Sequence, residues 1–449
     1  MDISTQPKSG VPIRQLLSEF ATGRLTPSGV VDDALALSEM CQRDVKAFAH
    51  IEHIGATAAA VESNRHYREG SARQLEGVPV GIKDLIDTAG IPTKYGSPAY
   101  SENVPIADAE VVRLLKSKGA VIVGKTATHE FAWGVTTSSS SFGDTLNPHD
   151  RSRIPGGSSG GMAAAIAYGA LRAGLGTDTG GSVRIPAALC GIVGYKPSYG
   201  LLPTTGVFPL ASSLDHIGIL GSSVADVALV SMALDIATAP PGQLGRYRVG
   251  ALGRIGGVPT STPVASAFVD ACEQISRNHD LVVRADVSLF DRSFALFAGI
   301  VLAEGGITHF RRNSAAFIHA HYGAETASRL ALAEEVTVGQ YASWLQARRE
   351  FSSDLEEWMT DLDFLICPTC PCTAPFIGQD HIEIEQWSGS VREALMTYTA
   401  PFNLSGLPAI SLPMRPSAAD GMPIGLQIIA PRGRDGALLN FAAEIERFR

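Results

Sequence analysis

The chain has 449 residues, of which 45% are hydrophobic and 18% are charged, and its formal net charge is −9. This composition is that of an ordinary globular chain with a large core, and it excludes a disordered or fibrous protein. An acidic chain offers no basic surface to a polyanion, so we expect no nucleic-acid partner. The six cysteines are too few and too scattered for a disulfide scaffold, so we expect reduced thiols.

The chain also carries no recognisable targeting or membrane segment. Residues 1–10 lack the basic start and apolar core of a signal peptide. The longest apolar run, Phe294 to Ala303, is about half the length of a membrane span. We therefore expect a cytoplasmic protein that does not contact a membrane.

Helices and strands alternate along the first part of the chain. Residues 11–23 and 27–41 have helical apolar spacing, and Thr26 followed by Pro27 is a typical helix start. This predicts an N-terminal helical hairpin over about residues 11–43. The elements predicted next are a strand over 47–51, a helix over 56–67, a strand over 78–82, a helix over 108–118 and a strand over 120–123, the last three forming a βαβ unit.

Two features of this βαβ unit bear on function. Its first strand ends at Lys83, on the sheet edge where ligand sites of open α/β sheets lie, although a lysine at a strand end is more often a surface residue. Residues 119–126, GAVIVGKT, match the phosphate-loop pattern G-x-x-x-x-G-K-[ST]. The four central residues favour a strand, which cannot supply a loop of inward N–H groups, so we reject a phosphate site.

Two Gly-Gly-Ser turns flank a small-residue helix between residues 155 and 200. The first turn contains Ser158 and the second contains Ser182, each directly after two glycines. Such turns let the chain bend sharply and bring backbone N–H groups close to a ligand. The run over 161–171 predicts a buried helix, which a flexible glycine-serine linker would lack. The stretch therefore predicts an exposed serine beside an oxyanion hole.

The alternation of helix and strand continues to the end of the chain. Residues from about 290 to 360 are predicted to be mostly helical and are richer in charge. The other predicted elements are helices over 224–236, 263–276 and 436–447, and strands over 247–252, 281–283, 364–366, 409–412 and 425–429.

The cysteine cluster CPTCPC over residues 367–372 contains one C-x-x-C pair, Cys367 and Cys370, followed by Cys372. No second pair and no histidine at zinc-ligand spacing follows it. We therefore expect no metal site and no redox chemistry there, and the other motifs imply no metal or cofactor.

The motifs of residues 155–200 resemble the defining pattern of the amidase signature family of serine hydrolases, in GGSSGG, GTDTGGSVRIPA and CGIVGYKPSYG. The resemblance implies an α/β fold with one large twisted mixed sheet covered by helices on both faces. It also implies a single domain over residues 1–449, with the signature core at about 77–215 and the mostly helical section covering the active site. The likeness extends to residues 77–97, 124–134, 400–413 and 423–430.

The resemblance further implies the catalytic residues. Ser182 matches the nucleophile, Ser158 the bridging serine with a cis peptide bond, and Lys83 the general base. No G-x-S-x-G elbow or nearby histidine offers a Ser-His-Asp triad instead. A lysine with the ordinary pKa of about 10.4 is charged at neutral pH, so Lys83 must be buried in order to act as a base.

Backbone and pocket groups follow from the same comparison. Asp178 and Arg184 are expected to brace the second turn. By resemblance, residues 131–133 line the acyl pocket, although an aromatic pair beside a strand is as often part of the core. The predicted oxyanion hole consists of the N–H groups of Thr179, Gly180, Gly181 and Ser182. The predicted pocket walls are Phe131, Ala132 and Trp133.

The resemblance implies a carbon–nitrogen hydrolase of the aryl-acylamidase or urethanase type, acting on a small or aryl amide, with carbamates as an extension. One alternative is the glutamine-hydrolysing component of a tRNA-dependent amidotransferase, and another is a catalytically silent interaction homologue. Against the first alternative, the acidic charge offers little to tRNA, and Thr128-His129 replaces the usual Met-Asp. A second departure is Met162, where many members have a small residue. The expected partner is a small-molecule amide or carbamate, and the resemblance leaves a homodimer open.

Overall fold

An eleven-stranded mixed β-sheet runs through the computed structural model, which describes residues 11–139, 142–236 and 245–447. The described strands are β1 (Phe48–Ile51), β2 (Pro79–Lys83), β3 (Val121–Thr126), β4 (Ser138–Ser139), β5 (Gly143–Asp144), β6 (Ala173–Asp178), β7 (Val193–Lys196), β8 (His216–Gly221), β9 (Arg248–Ala251), β10 (Asp280–Val283), β11 (Phe364–Pro368), β12 (His381–Ile384), β13 (Trp387–Ser390), β14 (Ala409–Pro413) and β15 (Gly425–Ile429). The order in the large sheet is β1-β3-β2-β6-β8-β7-β14-β15-β11-β9-β10.

Helices connect and cover these strands. The described α-helices are α1 (Ile13–Ala21), α2 (Pro27–Val45), α3 (His53–Arg68), α4 (Glu110–Ser117), α5 (Gly160–Tyr168), α6 (Arg184–Cys190), α7 (Val224–Ala233), α8 (Thr262–Ser276), α9 (Ser293–Phe310), α10 (Ala315–His321), α11 (Ala324–Ala333), α12 (Val338–Trp358), α13 (Val391–Thr397), α14 (Pro401–Leu404) and α15 (Asp435–Glu446).

The two faces of the sheet are covered by different helices, as strand β2 illustrates. Val80 and Ile82 point to one face and pack in the hydrophobic cluster that includes residues of α4, α7, α8 and α15. Gly81 points to the other face, where Met162 of α5 lies so close that a Cβ on Gly81 would be 2.9 Å from its Cε. This alternation is the period-two pattern of a strand that is buried on both sides. The α/β class and the large mixed sheet covered by helices are thus confirmed.

Several elements were predicted with bounds within a few residues of those observed. β2 and β3 are parallel and joined through α4, so the βαβ unit is confirmed. β3 extends from Val121 through Thr126, which places the last six residues of the rejected phosphate loop in a strand. The section over 290–360 contains α9, α10, α11 and α12, as its helical pattern predicted.

Strand β6, beside β2, was not predicted, because its sequence AGLGTD lacks the β-branched and aromatic run that marks a strand. Its glycines have a packing role. A Cβ on Gly174 would lie 2.4 Å from Cε of Met162, and a Cβ on Gly176 would lie 2.7 Å from Oγ of Ser159. Only glycine therefore lets the turn before α5 approach the centre of the sheet.

Helix α9 is longer than the apolar run Phe294 to Ala303 that stands out in the sequence. The segment Ser288–Phe310 has a mean hydropathy of 1.4 and is long and apolar enough to cross a membrane by length and composition. However, 56% of its most apolar window is buried within the protein, and α9 packs against α11 and α12. These contacts are those of a core helix.

Candidate active site

Lys83 lies at the end of β2 and is completely buried. Its Nζ donates hydrogen bonds to Oγ of Ser158 and to Oγ1 of Thr177, both at 2.7 Å. Burial lowers the pKa of Lys83 to about 7, against the opposing charges of Asp178 and Asp215. A large share of this lysine is therefore neutral near pH 7 and has a free electron pair.

The register of the sheet brings these groups together. β2 and β6 are parallel neighbours in which Ile82 pairs with Leu175, so their carboxyl ends meet at one sheet edge. Lys83 ends β2 at that edge, and Thr177 lies two residues beyond the Leu175 pairing on β6. The hydrogen bond between Lys83 and Thr177 follows from this alignment.

The two Gly-Gly-Ser turns lie side by side. The Gly157–Ser158 peptide bond is cis, and the N–H of Ser159 donates to the carbonyl oxygen of Ser182 at 3.1 Å. Ser158 is fully buried and Ser182 is 4% exposed. The Ser182 hydroxyl makes no hydrogen bond with any residue that the structure describes. The structure thus joins Lys83 directly to Ser158 and holds Ser182 beside them through the backbone.

The second turn is braced by a buried carboxylate. Asp178 accepts hydrogen bonds from the N–H of Gly181 at 2.8 Å and of Val183 at 3.1 Å. Arg184 donates to both carboxylate oxygens, at 2.8 and 3.0 Å. Although burial opposes it, the charge of Arg184 holds the pKa of Asp178 well below its usual range. Asp178 therefore stays ionised and fixes the path of the turn, as its sequence position suggested.

This brace changes which amides are available for an oxyanion. The N–H of Gly181, one of the four predicted donors, is already bonded to Asp178. The N–H groups of Thr179, Gly180 and Ser182 have no acceptor within the described ranges. The side chain of Thr179 donates to Asp215 at 2.6 Å, which orients its end of the turn.

Sequence reasoning missed the residues that hold this brace from the other side. Asn403 donates to Oδ1 of Asp178 at 2.8 Å and accepts from Arg184 at 2.6 Å, and Gln427 accepts from Arg184 at 2.6 Å. Asn403 and Gln427 lie in the C-terminal segments that resemble the family pattern. That likeness could have marked them as important, but only the fold places them against Asp178.

Two apolar side chains face the second turn across Gly180. A Cβ on Gly180 would lie 2.3 Å from Cζ of Phe297 on α9 and 2.5 Å from Cε of Met396 on α13. The turn therefore has an apolar wall built by two helices. The resemblance placed α9 in a section that covers the active site, but neither Phe297 nor Met396 was assigned to the site from the sequence.

The predicted pocket residues Phe131, Ala132 and Trp133 are buried in the aromatic core. Phe131 and Ala132 adopt left-handed backbone conformations, with φ of 49° and 59°. The ring of Phe131 lies 4.6 Å from that of His309, and Trp133 covers α9 at Gly305, where a Cβ would be 2.6 Å from the indole. None of the three makes a hydrogen bond or ring contact with the Lys83–Ser158 pair among the described residues.

The segment before these residues is attached to α11. Glu130 accepts hydrogen bonds from the N–H of Gly323 at 3.0 Å and from Oγ1 of Thr326 at 2.6 Å. Nε2 of His129 lies 3.0 Å from Oε2 of Glu325. Arg329 of α11 also donates to the carbonyl oxygen of Trp133. The helical section thus holds the segment over 129–133 in place.

The cysteine cluster over residues 367–372 differs in its chemistry from the groups described above. Cys367, Cys370 and Cys372 are buried and free, and burial raises the pKa of the Cys367 thiol to about 12. Within the described residues, no group of three or more histidine, cysteine, aspartate or glutamate side chains is arranged to hold a metal ion.

A family model, two relatives and a solved structure all relate the chain to the same kind of protein. The family model described as Amidase matches residues 30–439. The A component of the glutamyl-tRNA(Gln) amidotransferase of Chloroflexus aggregans is 33% identical over 475 residues, covering 95% of this chain and 94% of that protein. AtzE, a component of the 1-carboxybiuret hydrolase of Pseudomonas sp. strain ADP, is 34% identical over 439 residues, covering 93% and 94%. A solved structure described as a crystal structure of amidase superimposes with a TM-score of 0.90 at 31% identity, covering 97% of this chain and 99% of that one.

Proposed function

The chain belongs to the amidase signature family of amide-hydrolysing enzymes, and from this we propose that it cleaves a small or aryl amide through an acyl-enzyme on Ser182. The observation that carries the proposal is the 2.7 Å hydrogen bond between the buried Lys83 and the Ser158 hydroxyl. A desolvated lysine whose pKa is about 7 is a base at neutral pH. Of the two Gly-Gly-Ser turns that the structure describes, only the first, through the hydroxyl of Ser158, is hydrogen-bonded to Lys83.

In the proposed reaction, the Ser182 oxygen attacks the substrate carbonyl while its proton passes to Ser158. Ser158 gives its own proton to neutral Lys83 across the 2.7 Å contact. The N–H groups of Thr179, Gly180 and Ser182 stabilise the oxyanion. Charged Lys83 then returns a proton through Ser158 to the leaving nitrogen, and water releases the acyl group by the same relay.

The acyl side of the substrate is proposed to lie against the apolar wall of Phe297 and Met396, which face the turn at Gly180. This wall favours an alkyl or aryl group beside the carbonyl. A carbamate carbonyl follows the same acylation route, so urethanes are a natural extension of the substrate range.

Glutamine hydrolysis within an amidotransferase is the second candidate, because curated relatives such as that of Chloroflexus aggregans carry this name. Free glutamine is a zwitterion, and its ammonium group needs a carboxylate partner. Asp178 is bonded to Arg184, Asp215 to Thr179, and Glu325 to His129. Because these carboxylates are already bonded within the protein, a substrate without an ammonium group is favoured. A protein partner is proposed only together with glutamine hydrolysis.

The test is labelling by a fluorophosphonate probe together with turnover of an anilide, a carbamate and glutamine. Replacing Ser182 by alanine should abolish labelling and lower hydrolysis by roughly three orders of magnitude or more, since only oxyanion stabilisation and binding remain. Ser231→Ala is the matched control, because Ser231 is a buried serine of α7 bonded to the carbonyl of Val227. Normal turnover by Ser182→Ala would refute the acyl-enzyme.

A further inference from the structure

Arg392, the second residue of α13, is a cation without a bonded partner. It makes neither a hydrogen bond nor a salt bridge with any residue in the described ranges, and its guanidinium lies 5.8 Å from the ring centroid of Phe294 on α9. Burial first, and then the charge of Arg329, lowers the pKa of Arg392 to about 10, while Glu325 opposes this shift. Arg392 is therefore still charged at neutral pH.

The nearby carboxylate of Glu325 is already engaged. It accepts a hydrogen bond from Arg329 and lies 3.0 Å from Nε2 of His129. Arg329 also donates to the carbonyl oxygen of Trp133. Glu325 is thus bonded to Arg329 and His129, and it acts on Arg392 only through its charge, so the guanidinium of Arg392 keeps its hydrogen-bond donors available.

The position of Arg392 relates it to the candidate active site. Met396 is four residues further along α13, on the same helical face, and borders Gly180. Phe294 and Phe297 stand in a similar relation on the facing helix α9, where Phe297 also borders Gly180. Arg392 is therefore displaced by about 6 Å along α13 from the wall of the oxyanion turn. The charge of Arg392 also acts on the Glu325–Arg329 pair, in which Arg329 is bonded to the carbonyl oxygen of Trp133.

We propose that Arg392 binds a carboxylate of the substrate, so that the preferred amides are monoanions whose acidic group lies at least about 6 Å from the scissile carbonyl. A partly buried guanidinium gains most from a planar anion that can accept two hydrogen bonds. The inference rests on the proposed amide hydrolysis, because it names the substrate class of that same site. It adds a specificity-determining residue outside the motifs that resemble the family pattern.

The test compares acidic and neutral substrates of matched shape. N-phenyladipamic acid and hexananilide differ by a carboxylate on the acyl side, and 4-acetamidobenzoate and 4-methylacetanilide differ by one on the amine side. We expect a higher kcat/KM for the acid in at least one pair. Because hydrogen bonds to charged groups contribute about 1.5–3 kcal/mol, Arg392→Met should lower that acid-to-neutral ratio by roughly tenfold to a hundredfold. Arg392→Gln is the second variant and should lower it similarly.

The matched control is Arg284→Met, because Arg284 also lies over an aromatic ring, that of Trp358 at 5.1 Å, and away from the site. This variant should keep the ratio of the unchanged enzyme. Binding of the preferred acid to Ser182→Ala, measured by calorimetry, should be lost when Arg392→Met is added. If an acid binds in this way but no anilide is hydrolysed, the proposed reaction fails and the role of Arg392 stands. An acid-to-neutral ratio and an affinity that are both unchanged by Arg392→Met would overturn the proposal.

Discussion

Lys83 determines the expected pH dependence of the enzyme. Its pKa is lowered by burial to about 7, so the base form predominates above that pH. We predict that kcat/KM rises through a midpoint near pH 7 and levels off on the alkaline side, as measured from pH 5.5 to 9.5. Lys83→Ala should lower turnover by several orders of magnitude.

Lys83→Arg provides the critical comparison for this role. Guanidinium stays protonated at any usable pH and cannot accept the proton from Ser158, so this variant should not restore activity. Near-normal turnover by Lys83→Arg would show that only positive charge is needed, and the relay would have to be abandoned.

Thr177 should tune this pH midpoint although it does not touch the substrate in the proposed reaction. Its Oγ1 accepts a hydrogen bond from Lys83 at 2.7 Å, and such an acceptor stabilises the charged lysine more than the neutral one. We predict that Thr177→Val moves the midpoint of the pH–rate profile to lower pH and reduces kcat by about tenfold, since the amine loses one orienting contact. Thr177→Ser, which keeps the hydroxyl, should restore both. A loss of kcat with an unmoved midpoint would assign Thr177 a packing role only.

At the scale of single residues, the sequence identified the candidate catalytic residues but said much less about which side chains contact them. Ser158 and Lys83 were singled out through the family pattern, and the structure places them in contact. Thr177 and Asn403 were not, because Thr177 lies within a glycine-rich strand without a clear pattern and Asn403 lies far along the chain. Contacts between distant residues depend on strand register, which a single sequence does not specify.

Among the elements, α9 has a role that its sequence did not reveal. Its apolar character predicted a helix, and the resemblance predicted that this section covers the active site. Which side chain of α9 reaches the turn depends on the angle at which the helix crosses the sheet, and in the structure that side chain is Phe297. Packing angles follow from side chains on both partners and cannot be taken from one helix alone.

Gly180 tests this contact between α9, α13 and the oxyanion turn. The added methyl group of Gly180→Ala would lie 2.3 Å from the end of the Phe297 ring and 2.5 Å from the end of Met396. Both are side-chain tips that can move, so we predict a folded protein whose kcat/KM falls by about tenfold or more because the wall and the turn shift. Adding Phe297→Leu should restore part of the loss.

Gly339→Ala is the control for this pair of variants. Gly339 lies in α12, where the nearest atom to an added Cβ is 4.0 Å away, so alanine should fold at least as well and leave kcat/KM unchanged. If Gly180→Ala had the activity of the unchanged enzyme, the backbone N–H groups of this turn would not depend on contact with Phe297 and Met396 for their position.

At the scale of the whole molecule, three lysines among the described residues are buried at the ends of strands. Lys83, Lys125 and Lys196 are each fully inaccessible to solvent and end or nearly end β2, β3 and β7. Burial lowers the pKa of each, and Lys196 compensates by donating to the carbonyl oxygen of Leu407 at 2.6 Å. The alternating pattern of the sequence predicted the fold class, but the insertion of β14 and β15 between β7 and β11 rests on the pairing of β7 with β14, across more than two hundred residues. The burial of Lys196 follows from that sheet order, because Lys196 pairs with Ala409 of β14, and of the three lysines burial was predicted only for Lys83.

These lysines couple stability to pH, and Lys83 isolates the effect. Its pKa is about 7 in the folded chain and about 10.4 in an unfolded one, so between these values the unfolded chain binds more protons. Stability should therefore rise with pH across this window, by about 1.4 kcal/mol per pH unit for each such lysine. We predict that Lys83→Met takes up about one proton fewer than the unchanged protein when it is unfolded in urea at pH 8.5 in a pH-stat. Lys46→Met, which removes an exposed lysine, is the control and should match the unchanged protein. Equal proton uptake by all three proteins would mean that Lys83 is charged in the folded state at pH 8.5, which would also remove the base from the proposed reaction.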